Sequence, residues 1–258
     1  MITLKSQKQL AKMRLAGELL FEVLQKTAAE VRPGVTTAYL NRFAEELIRS
    51  RGAVPSFLNY NGFPASICAS ADDVVVHGIP SESQVLKEGS ILSIDCGVIL
   101  DGWQSDSALT VGVGEISPEA AALIETTEAC FWAAARKATA GSRLGDIGCA
   151  VQSLAESRGY GVVRELTGHG IGREMHEDPA VYNYGQAGRG FALRPGMTIA
   201  VEPMITAGSF HTRTDPDGWG VRTRDGSLAA HYEHTIAITE DGLPEILSLP
   251  GFRWEADA

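Results

Sequence analysis

Apolar residues return at helical spacing near the start of the chain. Leu10, Met13, Leu20, Val23 and Leu24 share one face over roughly Ser6 to Val31, and Pro33-Gly34 ends the run. This pattern predicts one long amphipathic helix. A second follows, capped by Thr36 or Thr37, with Leu40, Phe43 and Leu47 on one face and Gly52 as terminator. After short β-rich runs and loops, Ser117-Pro118-Glu119 opens a third helix reaching Ala140, with serine as cap and proline as the first helical residue. A fourth runs from Asp146 to Ser157 and ends at Gly159.

The second and fourth helices match each other. Gly34, Leu40, Ala44, Leu47, Ser50, Arg51 and Gly52, shifted by 107 positions, meet Gly141, Ile147, Val151, Leu154, Ser157, Arg158 and Gly159. The match coincides with a repeated order of long helix, short helix and strand. It predicts one α/β domain over 1–258 made of two pseudo-equivalent halves, about 1–112 and 113–258. A cleft between such halves can be lined from both sides.

The run ILSIDCGVIL is joined to WQSDSALTVGVG by Asp101-Gly102, the strongest short-range signal for a two-residue hairpin turn. With Leu100 opposite Trp103, Gly97 faces Asp106 and Asp95 faces Ala108. That register sets Asp95 and Asp106 diagonally on one face, about 7 Å apart at their α-carbons. Leu92, Ile94, Cys96 and Val98 form the other, apolar face, which belongs in the core. Two acids so close raise each other's pKa unless a cation neutralises them. By itself the pattern also fits a solvated sheet face.

Composition narrows the function. With 22 Lys and Arg against 32 Asp and Glu, the 258-residue chain carries a net charge of −10, which argues against nucleic-acid binding and suits a protein that gathers carboxylates around cations. MITLKSQKQL has no apolar leader, and no stretch is long enough to span a bilayer, so a cytoplasmic protein without membrane contact is expected. Cys68, Cys96, Cys130 and Cys149 lack CxxC spacing and are expected as reduced thiols.

Further candidates complete a cation site. Glycines bracket His169, allowing another group to approach closely, and His176 follows seven residues on. His77 lies where VVV breaks into Gly and Pro. His211 and His234 are expected to be structural. Glu202 interrupts the apolar run MTIAVEPMIT just before Pro203. Glu233 lies in the β-rich AAHYEHTIAIT with His231 and Thr235 on its face. Each acid alone fits an exposed sheet edge equally well. Together, two Asp and two Glu balance two divalent cations about 3.5–4 Å apart, which can lower the pKa of a water from about 15.7 toward 7 and polarise a carbonyl. One imidazole biases the set from Mg or Ca toward Mn, Fe, Co or Zn.

From ITLKSQKQLAKMRLAG to EHTIAITEDG, the chain resembles type I methionine aminopeptidase of the M24 metallopeptidase family. The resemblance rests on VVHGIP, SIDCGVILDGWQSDSA, TGHGIGREMHEDP, AVEPM and YEHT, in order and at the right spacing. It implies a pseudo-twofold "pita-bread" fold, a curved antiparallel sheet flanked by two pairs of helices in a single catalytic domain. It also implies removal of the initiator methionine from nascent chains when the next residue is small. The metal ligands implied are Asp95, Asp106, His169, Glu202 and Glu233. His77 and His176 would contact substrate and stabilise the tetrahedral intermediate, and Glu202 would relay protons. The methionine pocket implied is Tyr60, Phe63, Cys68, Met175 and Trp219, aromatic and sulfur-bearing groups suited to a thioether. A monomer that reaches nascent chains, with any ribosome contact made by the catalytic body itself, completes the expectation.

The chain departs from the family pattern at Gln104-Ser105, where His-Gly is common, at His231, where Gln is common, and at Asn61 and Met175, where His and an aromatic are frequent. Gln104 and His231 are expected to approach one another as a compensating exchange. Two alternatives are a related pita-bread aminopeptidase acting on other N-terminal or X-Pro peptides and a metal-free binding homologue.

Overall fold

The computed structural model describes residues 2–240 and 242–255. Met1, Asp241 within EHTIAITEDG, and residues 256–258 at the end of the expected domain lie outside the described residues. The four helices are α1 (Gln7–Ala29), α2 (Thr37–Ser50), α3 (Pro118–Ala135) and α4 (Leu144–Ser157). Ser6 precedes α1, its N–H donating to Gln9 Oε1 at 2.8 Å. Thr36 caps α2 by accepting from the Tyr39 N–H at 3.2 Å, whereas Thr37 is buried with its hydroxyl donating to the Ser81 carbonyl. The buried seam of α2 is Leu40, Ala44 and Ile48; Phe43 and Leu47 flank it, so the expected face is rotated by part of a turn. α3 stops at Ala135 rather than Ala140. Ala138 still packs into the core, and Gly141 reverses the chain at φ 88°, its N–H donating to the Leu193 carbonyl. α4 starts two residues earlier than expected because Asp146 accepts from the Arg143 N–H at 2.7 Å.

The strands are β1 (Val54–Pro55), β2 (Ile67–Ala71), β3 (Val74–Val76), β4 (Ile91–Leu100), β5 (Trp103–Gly112), β6 (Gly161–Val162), β7 (Gly168–Gly170), β8 (Glu177–Val181), β9 (Thr198–Val201), β10 (Met204–Thr206), β11 (Thr212–Thr214), β12 (Val221–Thr223), β13 (Ala229–His231), β14 (Glu233–Ala237) and β15 (Glu245–Ile246). Nine form one antiparallel sheet in the order β1-β4-β5-β14-β9-β7-β8, with β2 beside β4 and β15 beside β14. Two three-stranded sheets, β13-β10-β6 and β11-β12-β3, stand next to it. The β4–β5 hairpin has the expected register: Leu100 opposite Trp103, Gly97 opposite Asp106, Asp95 opposite Ala108. Asp101 and Gly102 both take positive φ, 50° and 72°, as a turn matching the strand twist requires.

Two segments expected as continuous strands are broken. MTIAVEPMIT divides at Glu202-Pro203 into β9 and β10, because Pro203 has no N–H to continue a ladder. AAHYEHTIAIT divides at Tyr232 into β13 and β14. The Tyr232 N–H donates to the Pro203 carbonyl at 3.2 Å, so the two breaks are joined where both chains pass from the small sheet to the large one.

Each helix pair covers its own core. Leu20, Val23, Leu40 and Ile48 of α1 and α2 pack on Leu92, Ile94, Cys96 and Val98, the expected apolar face of β4. Leu123, Phe131, Ile147 and Val151 of α3 and α4 pack on Ile199, Val201, Ile205 and Ile236. The repeat extends to backbone detail. Gly34 and Gly141 have φ of 89° and 88°, and the isolated bridges Thr36–Val85 and Arg143–Ala192 are offset by the same 107 residues.

Candidate metal centre

Sheet register brings the acids together. Asp95 on β4 lies opposite Ala108 of β5, and Ala108 lies opposite Glu233 of β14, so Asp95 and Glu233 share one row across three strands. Thr235 faces Ala200, which faces His169 on β7. Thr235 Oγ1 donates to the Asp106 carbonyl at 2.8 Å and accepts from the Asp106 N–H at 3.0 Å, which places Asp106 beside that second row. The glycines around His169 are structural necessities. A Cβ on Gly168 would lie 2.4 Å from the Ala200 carbonyl oxygen, and one on Gly170 2.1 Å from that of Asp178. Glu202, at the break between β9 and β10, projects into the same space.

The ligand-type atoms converge. His169 Nε2 lies 3.6 Å from Asp106 Oδ2 and 3.7 Å from Glu202 Oε1; His231 Nε2 lies 3.6 Å from Glu233 Oε2 and 3.8 Å from Glu202 Oε2. Among the described residues, Asp106, His169 and Glu233 form one group with mutual ligand-atom distances within 4.8 Å, and Asp95, His231 and Glu233 form another. His169 Nδ1 is 2.9 Å from the Gly170 carbonyl, which can only accept, so Nδ1 carries the proton and Nε2 presents a lone pair to the acids. Asp95 Oδ1, Asp106 Oδ1, Glu233 Oε1 and both ring nitrogens of His231 are buried without a hydrogen-bond partner in the protein. Such a cluster costs stability unless cations or protons compensate it.

The electrostatics agree. Burial, and then the Asp106 charge, hold the carboxyls of Asp95, Glu202 and Glu233 well above the usual range; burial raises Asp106 to about 7. Burial lowers the imidazoles instead: His169 and His77 fall below their ordinary value, and His231 falls to about 3. His176 is pushed down to about 4, first by the protein packed around it and then by His169, whose ring centroid is 4.3 Å away.

The acids form one end of a cavity of about 360 Å³. Tyr60, Phe63, Cys68 and Trp219 line it together with His77 and His176, as expected; Phe63 and Trp219 meet edge to face at 5.1 Å. His77 adopts a positive φ of 59°, uncommon for a residue with a side chain, where β3 ends. Tyr60 Oη is 2.7 Å from His176 Nδ1. Asn61 lines the mouth. Met175 does not line the cavity: it is buried behind Gly97, where an added Cβ would lie 2.7 Å from its ε-methyl and 2.9 Å from Phe57. Phe57, which reaches the cavity, was missed because its loop carries no motif. Leu166, Val76 and Met204 also line it and were missed because an apolar side chain reads as core filling; Val76 and Met204 lie on β3 and β10.

Gln104 and His231 do not pair. The His231 backbone is held at Thr110, six residues along β5 from Gln104, a run of roughly 20 Å. The Gln104 carbonyl accepts from Ser56 Oγ instead. His234 is structural as expected, bonded to Ser107, Ser248 and Tyr232, whereas His211 is exposed and stacked on Phe210.

Comparison with known proteins adds lineage to this geometry. The sequence profile described as Metallopeptidase family M24 matches residues 11–240. The chain belongs to metallopeptidase family M24. Methionine aminopeptidase of Clostridium acetobutylicum is 52% identical over 249 residues, covering 96% of this chain and 99% of that protein. The crystal structure of methionine aminopeptidase from Rickettsia prowazekii superposes with a TM-score of 0.95 at 46% identity, covering 96% of this chain and 100% of that one. The pita-bread fold implied by the motifs is therefore the fold of this M24 chain. Xaa-Pro dipeptidase from Bacillus anthracis shares the fold alone, at 23% identity and a TM-score of 0.76, and this chain spans 63% of its length. An M24 metallopeptidase uses divalent metal. The unpartnered buried oxygens and the inward-facing imidazole nitrogens of this chain fit that requirement. Among the described residues, no helix is long and apolar enough to cross a membrane.

Proposed function

We propose that this M24 peptidase removes the amino-terminal methionine of peptides whose second residue is small. It holds two divalent cations (Mn, Fe, Co or Zn) on Asp95, Asp106, His169, Glu202 and Glu233. The carrying observation is the convergence of buried, partnerless carboxylate oxygens at one end of a cavity whose other wall is aromatic and sulfur-bearing. Bound cations of this kind acidify a water and polarise a carbonyl. Glu202, whose pKa is raised by burial and neighbouring acids, is suited to take a proton and pass it to the departing amine. His77 and His176, neutral at pH 7, are placed to bind and stabilise the reacting carbonyl oxygen; the His176 tautomer that accepts from Tyr60 at Nδ1 is the one that presents an Nε2–H to the cavity. Phe57, Tyr60, Phe63, Cys68 and Trp219 enclose the methionine side chain.

In this reading the two halves, about 1–112 and 113–258, are one catalytic unit, because Asp95 and Asp106 come from the first and His169, Glu202 and Glu233 from the second. The molecule works as a cytoplasmic monomer on nascent chains, any ribosome contact being made by its catalytic body. The test is a set of peptides with one change each. Met-Ala peptides are cleaved; N-acetyl-Met-Ala peptides, peptides with a bulky second residue and X-Pro dipeptides are not. Equal rates with and without the acetyl group, or cleavage of X-Pro alone, would overturn the assignment.

A further inference from the structure

His231 stands in the same relation to the acids as His169 does, on the opposite side. His169 Nε2 is 3.6 Å from Asp106 Oδ2, and His231 Nε2 is 3.6 Å from Glu233 Oε2. The two imidazoles then divide Glu202 between them, His169 lying 3.7 Å from Oε1 and His231 3.8 Å from Oε2. These separations are too long for hydrogen bonds and are those of ligands on one cation: two donors each about 2.1 Å from a shared ion, and this far apart, subtend about 120° at it. Glu233 belongs to both groups of potential ligands, with Asp106 and His169 on one side and Asp95 and His231 on the other.

The backbone of His231 is fixed as a ligand's backbone is fixed. Thr110 Oγ1 donates to the His231 carbonyl at 2.8 Å and accepts from its N–H at 3.0 Å. This repeats the hold that Thr235 Oγ1 has on Asp106, at 2.8 and 3.0 Å. The ring itself is 1% exposed, and neither nitrogen has a hydrogen-bond partner in the protein. A neutral imidazole adds a donor atom without adding charge, so four carboxylates still balance two divalent ions.

We propose that His231 is a sixth protein ligand, giving the cation beside Asp95 and Glu233 an imidazole of its own, so that each of the two ions has one. The inference rests on the two-cation reading above. A second imidazole makes that position softer and favours Fe, Co or Zn over Mn there.

The test is X-ray absorption at the cobalt edge on the fully loaded protein, with calorimetric titration of Co²⁺ and Mn²⁺ into protein stripped by chelation. The unmodified protein is expected to take two cobalt ions and to show one imidazole per cobalt. In His231→Gln the count falls to one imidazole per pair. One cobalt site loses affinity at least about tenfold, manganese loses less, and the other site stays unchanged, which also reports that the variant is folded. Two cobalt ions with one imidazole per pair in the unmodified protein would overturn the role of His231 and leave the two-cation reading standing. Saturation at a single cobalt would overturn both. The absorption count on the unmodified protein decides the matter even if the variant fails to fold.

Discussion

Asp106 lies between folding and function, because its carboxylate is buried among like charges and has an unpartnered oxygen. Asp106→Asn keeps the shape and removes the charge. Metal content is expected to fall from two ions per chain to one or none, with peptidase activity reduced at least about a hundredfold, while the metal-free protein melts no lower than its parent. Metal analysis and thermal melts check both halves of that statement. The pH dependence follows from the same group. Its folded pKa of about 7 is above an unfolded value of about 3.9. Its protonation therefore stabilises the metal-free fold below the unfolded value, and this contribution is lost as pH rises through 7. Cations must displace that proton, so apparent metal affinity falls as pH drops through 7 and binding at pH 6.5 releases protons. Titration in buffers of different ionisation heat measures the release. At this scale the motifs were legible where the demand was local: glycines beside His169, acids on one hairpin face. Phe57 and Met175 were not, because whether an apolar side chain lines a cavity or packs behind its wall is set by neighbours distant in sequence.

Helix α1 shows how element packing outweighs propensity. Replacing Gly17 by Ala would favour the helix by about 1 kcal/mol. The added Cβ, however, would lie 2.0 Å from the Leu247 carbonyl oxygen, in the chain that follows β15. Backbone must move to admit it, so Gly17→Ala is expected to lower stability by about 1–3 kcal/mol, read from denaturant midpoints. The hairpin β4–β5 was readable to the residue because Asp101-Gly102 sets both turn type and register. The breaks at Glu202-Pro203 and Tyr232 were not. Each lies within an apolar run that continues as strand on both sides; Pro203 cannot donate to a ladder, and the Tyr232 N–H turns to the Pro203 carbonyl instead of continuing one.

In the proposed reading the whole molecule closes around the metal centre, since both halves contribute candidate ligands. Divalent cations that bind the fold and not the unfolded chain are expected to stabilise it by about 2.7 kcal/mol at one hundred times the dissociation constant, raising the melting temperature in a concentration-dependent way. Chelation should remove the gain, and His169→Ala should abolish most of it; a melting curve unmoved by cobalt would contradict the centre. The two half-cores under α1–α2 and α3–α4 are each built mostly from their own segment, with Ile91 and Val113 crossing over, which is why the internal repeat was visible as a pattern of 107 residues.

Sequence alone determined the presence of the four helices, the hairpin register and the repeat, and it picked out four acids and one imidazole as candidate ligands, because each depends on short-range periodicity, turn chemistry or a contiguous motif. Only the tertiary structure decided that Gln104 turns to Ser56 while His231 turns to Glu202 and Glu233. That outcome depends on which strands of separate sheets meet at two broken runs, and no local pattern along the chain encodes the distance between them.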